Sequence, residues 1–414
     1  MTQQVSRRRA ALIFAVCYIA YTSIYIARLN LSMASPGLTG GDILTKAQIG
    51  LLGSAFSIIY AVGRLINGTL SDRVPPWFMM AAGLTLAGGA NIAFSFLPPF
   101  FGMMLLWSLN AWAQSMLWSS VLCAVSAIYA PETAKRRTSL MVTSVAAGNI
   151  LGIIVNTFII SRIGLGFAFL IPGGLTLVMA VICFAALLKL DVSGVQKQKT
   201  GSPAAGDESP EDFERDKIGR GNLTRVTPAA FLHGMVKDNI SLWMAVYFTD
   251  CFAVDLEASA WFILFIPVAG FIGRLVYPAV YRICGEREHL VSFFGFCAVI
   301  IFALPLCLGI VTPLIAMLCL GMLYAAVSMV NTTILSIYPL QFKASGRIAT
   351  VSGMMDFATY LGAGAASVLY GYIIEPFGYK PMFISWLAAG IISLILMLRP
   401  AFAARQTGIH NRKD

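Results

Sequence analysis

Arg28, Arg64, Lys237 and Arg274 each fall inside a long apolar stretch of the chain. At bilayer depth an ionised side chain costs at least about 2.5–3.5 kcal/mol, so each needs a partner or a purpose. Lys237 and Asp356 lie roughly ten residues into their stretches; at about 1.5 Å per residue, both should reach the middle of a bilayer. Arg28 shares a helical face with Tyr18, Tyr21 and Tyr25, and polar rings beside a guanidinium suit a wet cavity better than lipid. Arg64 and Arg274 lie closer to their helix ends, where snorkelling to the headgroups is an equally good reading.

The other polar side chains in these stretches could complete a binding site. Asn110, Gln114 and Trp118 recur every fourth residue and form one stripe; Gln114 can hydrogen-bond a substrate or hold a neighbouring helix. Asn149 follows Ala146, Ala147 and Gly148, small residues that favour close helix packing as much as binding. Asp356 shares a face with Ser352 and Tyr360 and can balance a cation, carry a coupling proton or form a structural ion pair. Asp238 follows Lys237 directly, so the two side chains diverge by about 100° and need not pair. The balance is an excess of buried positive charge, which favours an anion; arginine in particular matches the planar fork of carboxylate or phosphate oxygens.

Only helices can hold these residues at such depth. The chain has 414 residues, 58% apolar and only 12% charged, about half the charged fraction of a soluble domain. Apolar runs long enough to cross a bilayer recur along it. They fall at 10–35, 48–70, 77–97, 100–129, 138–162, 165–189, 229–253, 258–282, 289–310, 312–338, 348–373 and 378–399. The expected fold class is therefore an all-α membrane protein of about twelve transmembrane helices. Eight cysteines are scattered singly, without metal-site or disulfide spacing.

The net charge of +10 is a topology signal rather than a mark of nucleic-acid binding. With the N-terminus inside, the outer loops hold only Lys46, Arg162 and Lys380, and the remaining loop cations are cytoplasmic. That asymmetry places both termini in the cytoplasm. Arg7, Arg8 and Arg9 precede a first helix that reads as retained rather than cleaved.

Residues 190–228 are rich in Ser, Pro, Gly and mixed charge, and read as a flexible cytoplasmic linker. They separate an N-terminal six-helix bundle, 1–189, from a C-terminal one, 229–400, followed by a cytoplasmic tail, 401–414. A weak repeat relates the halves: at one fixed offset, Gly63-Arg64-Leu65 recurs as Gly273-Arg274-Leu275, Arg137 as Arg347 and Gly152 as Gly362. Such halves place a substrate site between them near midplane.

At these residues the chain resembles the major facilitator superfamily. Gly68-Thr-Leu-Ser-Asp72-Arg73 is similar to that superfamily's Gly-x-x-x-Asp-Arg loop, which implies a cytoplasmic gate at Gly68, Asp72 and Arg73. Within it, Tyr25-x-x-Arg28-x-Asn30, then Ser54, Ser57, Tyr60, Arg64, Gly68 and Ser71 to Arg73, the Asn110–Gln114–Trp118 stripe, and Ser352-Gly353 with Tyr360 to Ala363 resemble the organophosphate:phosphate antiporters. These include glycerol-3-phosphate and hexose-phosphate transporters. The resemblance implies that Arg28 and Lys237 hold the substrate phosphate, with Tyr25, Tyr60, Arg64, Gln114, Trp118, Asn149 and Tyr360 around it and Asp356 and Asp238 in coupling or charge balance. Three departures accompany it. Lys237 stands where the best-known members have Arg; Ala146 to Gly148 replace a histidine of span five, with no histidine expected at midplane; and Asp356 adds a negative charge.

The implied activity is secondary active transport of a small organic anion, a sugar phosphate or other organophosphate first, by alternating access. A carboxylate such as a hexuronate carried by proton symport, or a membrane sensor that binds a sugar phosphate without moving it, is the alternative. No nucleophile–base pair, metal cluster or phosphate-cradling glycine loop argues for an enzyme, and no cofactor is expected. The expected partners are the lipid bilayer of the cytoplasmic membrane and the anionic substrate, with inorganic phosphate or a proton as coupling ion; nucleic acid is not expected, and the expected state is a monomer.

Overall fold

The computed structural model describes residues 7–403 apart from 72, 130, 189–209, 255, 310, 343–344 and 346. Thirteen α-helices are present among them: α1 Arg7–Gly40, α2 Lys46–Leu70, α3 Pro76–Phe94, α4 Phe100–Ser115, α5 Leu117–Ile128, α6 Pro131–Arg162, α7 Phe167–Leu187, α8 Pro210–Phe252, α9 Leu256–Ile283, α10 Glu288–Leu308, α11 Pro313–Thr332, α12 Ile348–Phe377 and α13 Lys380–Ala403. There is no strand among the described residues. Local chemistry sets several of these ends. Thr45 and Gln48 close a reciprocal cap at the start of α2 (3.2 and 2.9 Å). Pro76 and Pro313 open α3 and α11, where a missing N–H costs nothing. Gly309, at φ +71°, ends α10 in the left-handed region.

Among the described residues, ten helices have the length and apolarity to cross a membrane, and only 39–56% of each apolar window is buried within the protein itself. The remainder presents large apolar side chains outward, among them Leu12, Phe101, Val181 and Ile301. Water would not tolerate that surface; a bilayer solvates it. This is an all-α, multi-pass membrane protein. The other two expected spans are the broken rod α4–α5 and the charged helix α8. The break at Met116 is slight, because its backbone angles stay helical while its N–H bonds back three residues to Ala113.

Two compact units divide the chain, Met1–Ala204 with Leu242–Leu264, and Ala205–Ser241 with Phe265–Asp414. In the first unit α1 packs on α6 and α7, α3 on α7, and α2 and α3 on α4. Its core includes Phe94, Trp107 and Phe169, with Phe94 and Phe169 centroids 4.4 Å apart. Lys46 at the start of α2 pairs with Asp250 near the end of α8 at 2.6 Å. In the second unit α10 packs on α11 and α13. There α11 runs on through a π turn, Thr333–Ile337, and a 3-10 turn, Tyr338–Phe342. Ser352 donates to the Leu335 carbonyl (3.0 Å), satisfying one group that the irregular turn frees.

The linker reading needs correction. Residues 189–209 lie outside the described residues, but from Pro210 the chain is helical and continuous with span seven, so α8 begins well before residue 229. Ser209-Pro210-Glu211-Asp212 carries a helix-start signature that bulk composition hides. Gly219 then lets this extension dock, since Tyr338 donates to its carbonyl at 2.7 Å and a side chain there would press on the Phe342 ring.

The weak repeat has a packing counterpart inside each unit. A Cβ at Gly63 would collide with Ser115 of α4, and one at Gly273 with Ala325 of α11. These contacts are related by the same offset as the glycines themselves. Gly63 seats its helix on a serine side chain, and Gly273 seats its helix on a backbone carbonyl.

Candidate functional site

Arg28 projects from α1 into a nest of rings within the first unit. Its guanidinium carbon lies 4.7 Å from the Tyr60 centroid, 4.9 Å from Phe56 and 5.6 Å from Tyr25. Cation–π attraction contributes about 0.5–2 kcal/mol per ring, so the nest fixes the side chain's direction. Phe56 and Tyr60, one turn apart on α2, stack at 5.9 Å, and Arg64, the next turn along, approaches the same Tyr60 ring at 6.0 Å. The tyrosine stripe continues the pattern. Tyr21 meets Tyr25 edge-on and lies 5.0 Å from Trp118, and the Tyr18 hydroxyl shares a hydrogen bond with Thr143 of α6 (3.0 Å). Arg28 and its rings are buried or half-buried inside the unit.

Glycines on α6 make room for this arrangement. A Cβ at Gly148 would strike the Thr22 carbonyl and Tyr25 at 2.8 Å, and one at Gly152 would strike Leu29 at 2.8 Å. Gly148 and Gly152 therefore receive the Tyr25 side of α1. Asn156 locks the crossing, donating to the carbonyls of Ile26 (2.9 Å) and Gly152 (2.7 Å). Asn149 is half-buried and donates to Val145 in its own helix (2.8 Å).

Gln114 lies in a chain of amides. Asn30 donates to Asn91 (2.7 Å), Asn91 to Asn110 (3.1 Å), and Gln114 to Asn110 (2.9 Å). All four are at most 3% exposed, so they bind α1, α3 and α4 to one another. Gln114 itself bonds Asn110 one turn back in α4 and joins the interhelical amides through that residue. Asn91→Leu is expected to cost about 1–3 kcal/mol, since each interhelical bond contributes about 0.6–2 kcal/mol. A lowered thermal midpoint in detergent, with the monomer retained on gel filtration, checks this.

In the second unit, Lys237 lies with its ammonium 2.6 Å from Asp238 and 5.6 Å from the Tyr360 centroid. Divergence of neighbouring Cβ directions does not prevent the pair, because the long lysine stem bends back to its neighbour's carboxylate. The second carboxylate oxygen of Asp238 is buried and has no hydrogen-bond partner among the described residues. Asp356 and Tyr360, half-buried, lie one turn apart on α12. Close backbone approach sets this geometry. Gly234 of α8 faces the Thr359 carbonyl, Gly362 of α12 faces the Phe231 carbonyl, and neither position has space for a Cβ. Asn239 clamps the same crossing, donating to Ala363 (3.1 Å) and accepting from Ser367 (3.0 Å).

His233 is the residue that sequence reading missed. Taking span seven from residue 229 put it near a helix start; because α8 starts at Pro210, it falls in mid-helix, one turn before Lys237. It is fully buried, with Nε2 3.3 Å from Asn331 of α11. Its spacing of four from Lys237 was the available signal. Phe56 was also missed, although Phe56, Tyr60 and Arg64 follow helical spacing. Of the gate motif, Gly68 is half-buried and Arg73 exposed, and Asp72 lies outside the described residues. Arg274 is half-buried on α9.

Basic side chains fixed among aromatic rings, deep in membrane-spanning helices, belong to a transporter rather than to an enzyme. The chain is a member of the Major Facilitator Superfamily, whose family model matches residues 12–363. It is 27% identical to a "Probable hexose phosphate transport protein" of Chlamydia pneumoniae, over 93% of this chain and 90% of that protein. It is 24% identical to a "Glycerol-3-phosphate transporter" of Bacillus subtilis, over 93% and 90% respectively. Among solved structures, a bacterial homolog to the human lysosomal transporter Spinster matches with a TM-score of 0.68 at 14% identity, covering 96% of both chains. That likeness concerns the fold.

Proposed function

We propose that this chain is a secondary transporter of a small organophosphate anion, a sugar phosphate or glycerol phosphate, in the cytoplasmic membrane. The observation that carries the reading is the Arg28 guanidinium, held by three aromatic rings inside the first unit. Rings cover the faces of a guanidinium and leave its N–H donors in the plane, the geometry that suits phosphate oxygens. The relatives named for hexose phosphate and glycerol 3-phosphate favour that ligand over a carboxylate.

In this reading Arg28 and Lys237 bind the anion. Tyr25, Tyr60 and Tyr360 orient them, Arg64 adds positive charge at Tyr60, and Trp118 supports the tyrosine stripe. Asp238 balances Lys237 until an anion arrives, and Asp356 adjusts the charge beside Tyr360. Inorganic phosphate is the proposed counter-substrate, and Gly68, Asp72 and Arg73 the proposed cytoplasmic gate. The distribution of loop cations supports cytoplasmic termini, and the proposed working unit is a monomer of two six-helix halves, the second opening with α8 at Pro210.

Ligand-induced stabilisation of the purified protein tests this. A ligand at about 100 times its Kd stabilises by about 2.7 kcal/mol, enough to raise the thermal midpoint measurably. Sugar phosphates or glycerol 3-phosphate are expected to do so and hexuronates not, and Lys237→Ala is expected to abolish the shift. Stabilisation by hexuronates alone would replace the organophosphate reading with a carboxylate one.

A further inference from the structure

A cavity of about 210 Å³ opens between the C-terminal end of α6 and the beginning of α9. Both wall segments belong to the first unit. Ile153, Ile154, Phe158 and Leu264 make it apolar, and Trp261 lines it while 74% exposed. Its polar groups are Thr157, Ser161 and Arg162, the last in the final turn of α6. Thr157 is 6% exposed, and its hydroxyl is buried without a hydrogen-bond partner among the described residues. An orphaned hydroxyl of this kind costs free energy unless something else satisfies it.

We propose that this cavity binds one anionic phospholipid. Phe158, 60% exposed, and Trp261 lie on membrane-spanning helices, and lipid is their neighbour in this proposal. Tryptophan favours the level of the headgroups, and Arg162 lines the same cavity, so the lipid phosphate and the guanidinium meet at one depth. From there an acyl chain follows Ile153, Ile154 and Leu264, and rotation about Thr157 χ1 turns its hydroxyl, buried in this structure, to an ester carbonyl on the way. Charge complementarity selects an anionic headgroup, because a zwitterionic lipid would bring its ammonium towards Arg162. A small soluble anion would gain nothing from the apolar walls. This site is separate from Arg28 and Lys237 and does not depend on the transported substrate.

The test is native mass spectrometry of the full chain, purified from membranes and exchanged with phosphatidylglycerol or phosphatidylcholine. The wild type is expected to retain one phosphatidylglycerol in preference to phosphatidylcholine. Arg162→Gln is expected to lower that retention about fivefold, the worth of about 1 kcal/mol for one basic residue at an anionic surface. Ala260→Phe fills the cavity without changing charge and is expected to reduce retention as well. If that variant fails to give a monomer on gel filtration, Leu264→Trp serves the same purpose. Equal retention of both lipids by the wild type, or phosphatidylglycerol retention unchanged in Arg162→Gln, overturns the proposal. So does retention unchanged in the filled variant, which would mean general surface attraction rather than this cavity.

Discussion

Arg28→Ala is expected to reduce phosphate-driven counterflow of glycerol 3-phosphate or a hexose phosphate in proteoliposomes to background. The side chain is proposed to make a forked, charge-assisted contact with the ligand phosphate. Hydrogen bonds to charged groups contribute about 1.5–3 kcal/mol each, so losing two corresponds to a fall of about 10²-fold or more. The effect should be one of binding rather than folding, because α1 is held independently by Asn30 to Asn91 and by Asn156 to the Ile26 carbonyl. Arg28→Lys separates charge from shape. A lysine keeps the cation and its attraction to the rings of Tyr25, Phe56 and Tyr60 but loses the planar fork, so an intermediate rate is expected. Full activity in Arg28→Ala would remove this residue from the site and leave the proposed function without its carrying observation.

Gly234→Val and Gly362→Val should each abolish the native fold of the second unit. A Cβ at either position overlaps a backbone carbonyl, of Thr359 or Phe231, so no rotamer change relieves the clash. The helices must separate, and the bonds of Asn239 to Ala363 and Ser367 separate with them. Overpacking alone costs about 1–3 kcal/mol, and each lost interhelical bond adds about 0.6–2 kcal/mol. Together these rival the whole stability of a domain. Loss of the monomer peak on gel filtration, or a collapsed thermal midpoint, is the expected readout. Gly89→Ala is the matched control, since nothing lies within 4 Å of its added Cβ and the helix gains propensity. A wild-type midpoint for Gly234→Val would mean that α8 and α12 do not cross in backbone contact.

Much of this was legible in the residues. Arg28, Tyr18, Tyr21 and Tyr25 announced themselves as a polar stripe on an apolar helix, and the structure turns that stripe inward against Tyr60, Trp118 and Thr143. The repeated Gly63 and Gly273 were readable as letters; that each seats a helix on a partner was not. Composition misled at 210–228, where polar residues build the first turns of α8, because a helix start depends on a few capping positions and not on average polarity. That error displaced His233 from mid-helix to a helix end. The Lys237–Asp238 pair was missed because helical phase describes where Cβ atoms point, whereas a lysine ammonium lies four bonds further out.

The sequence by itself determined that the chain is helical, crosses a membrane repeatedly and keeps cations where lipid would reject them, because transfer free energy is set by residue type and run length alone. Only the tertiary structure decided which rings surround Arg28, that Gln114 joins a buried amide chain, and that Asp238 pairs with Lys237. Those outcomes depend on how closely two backbones approach, and that is fixed by a few glycines whose effect appears only when the helices are packed.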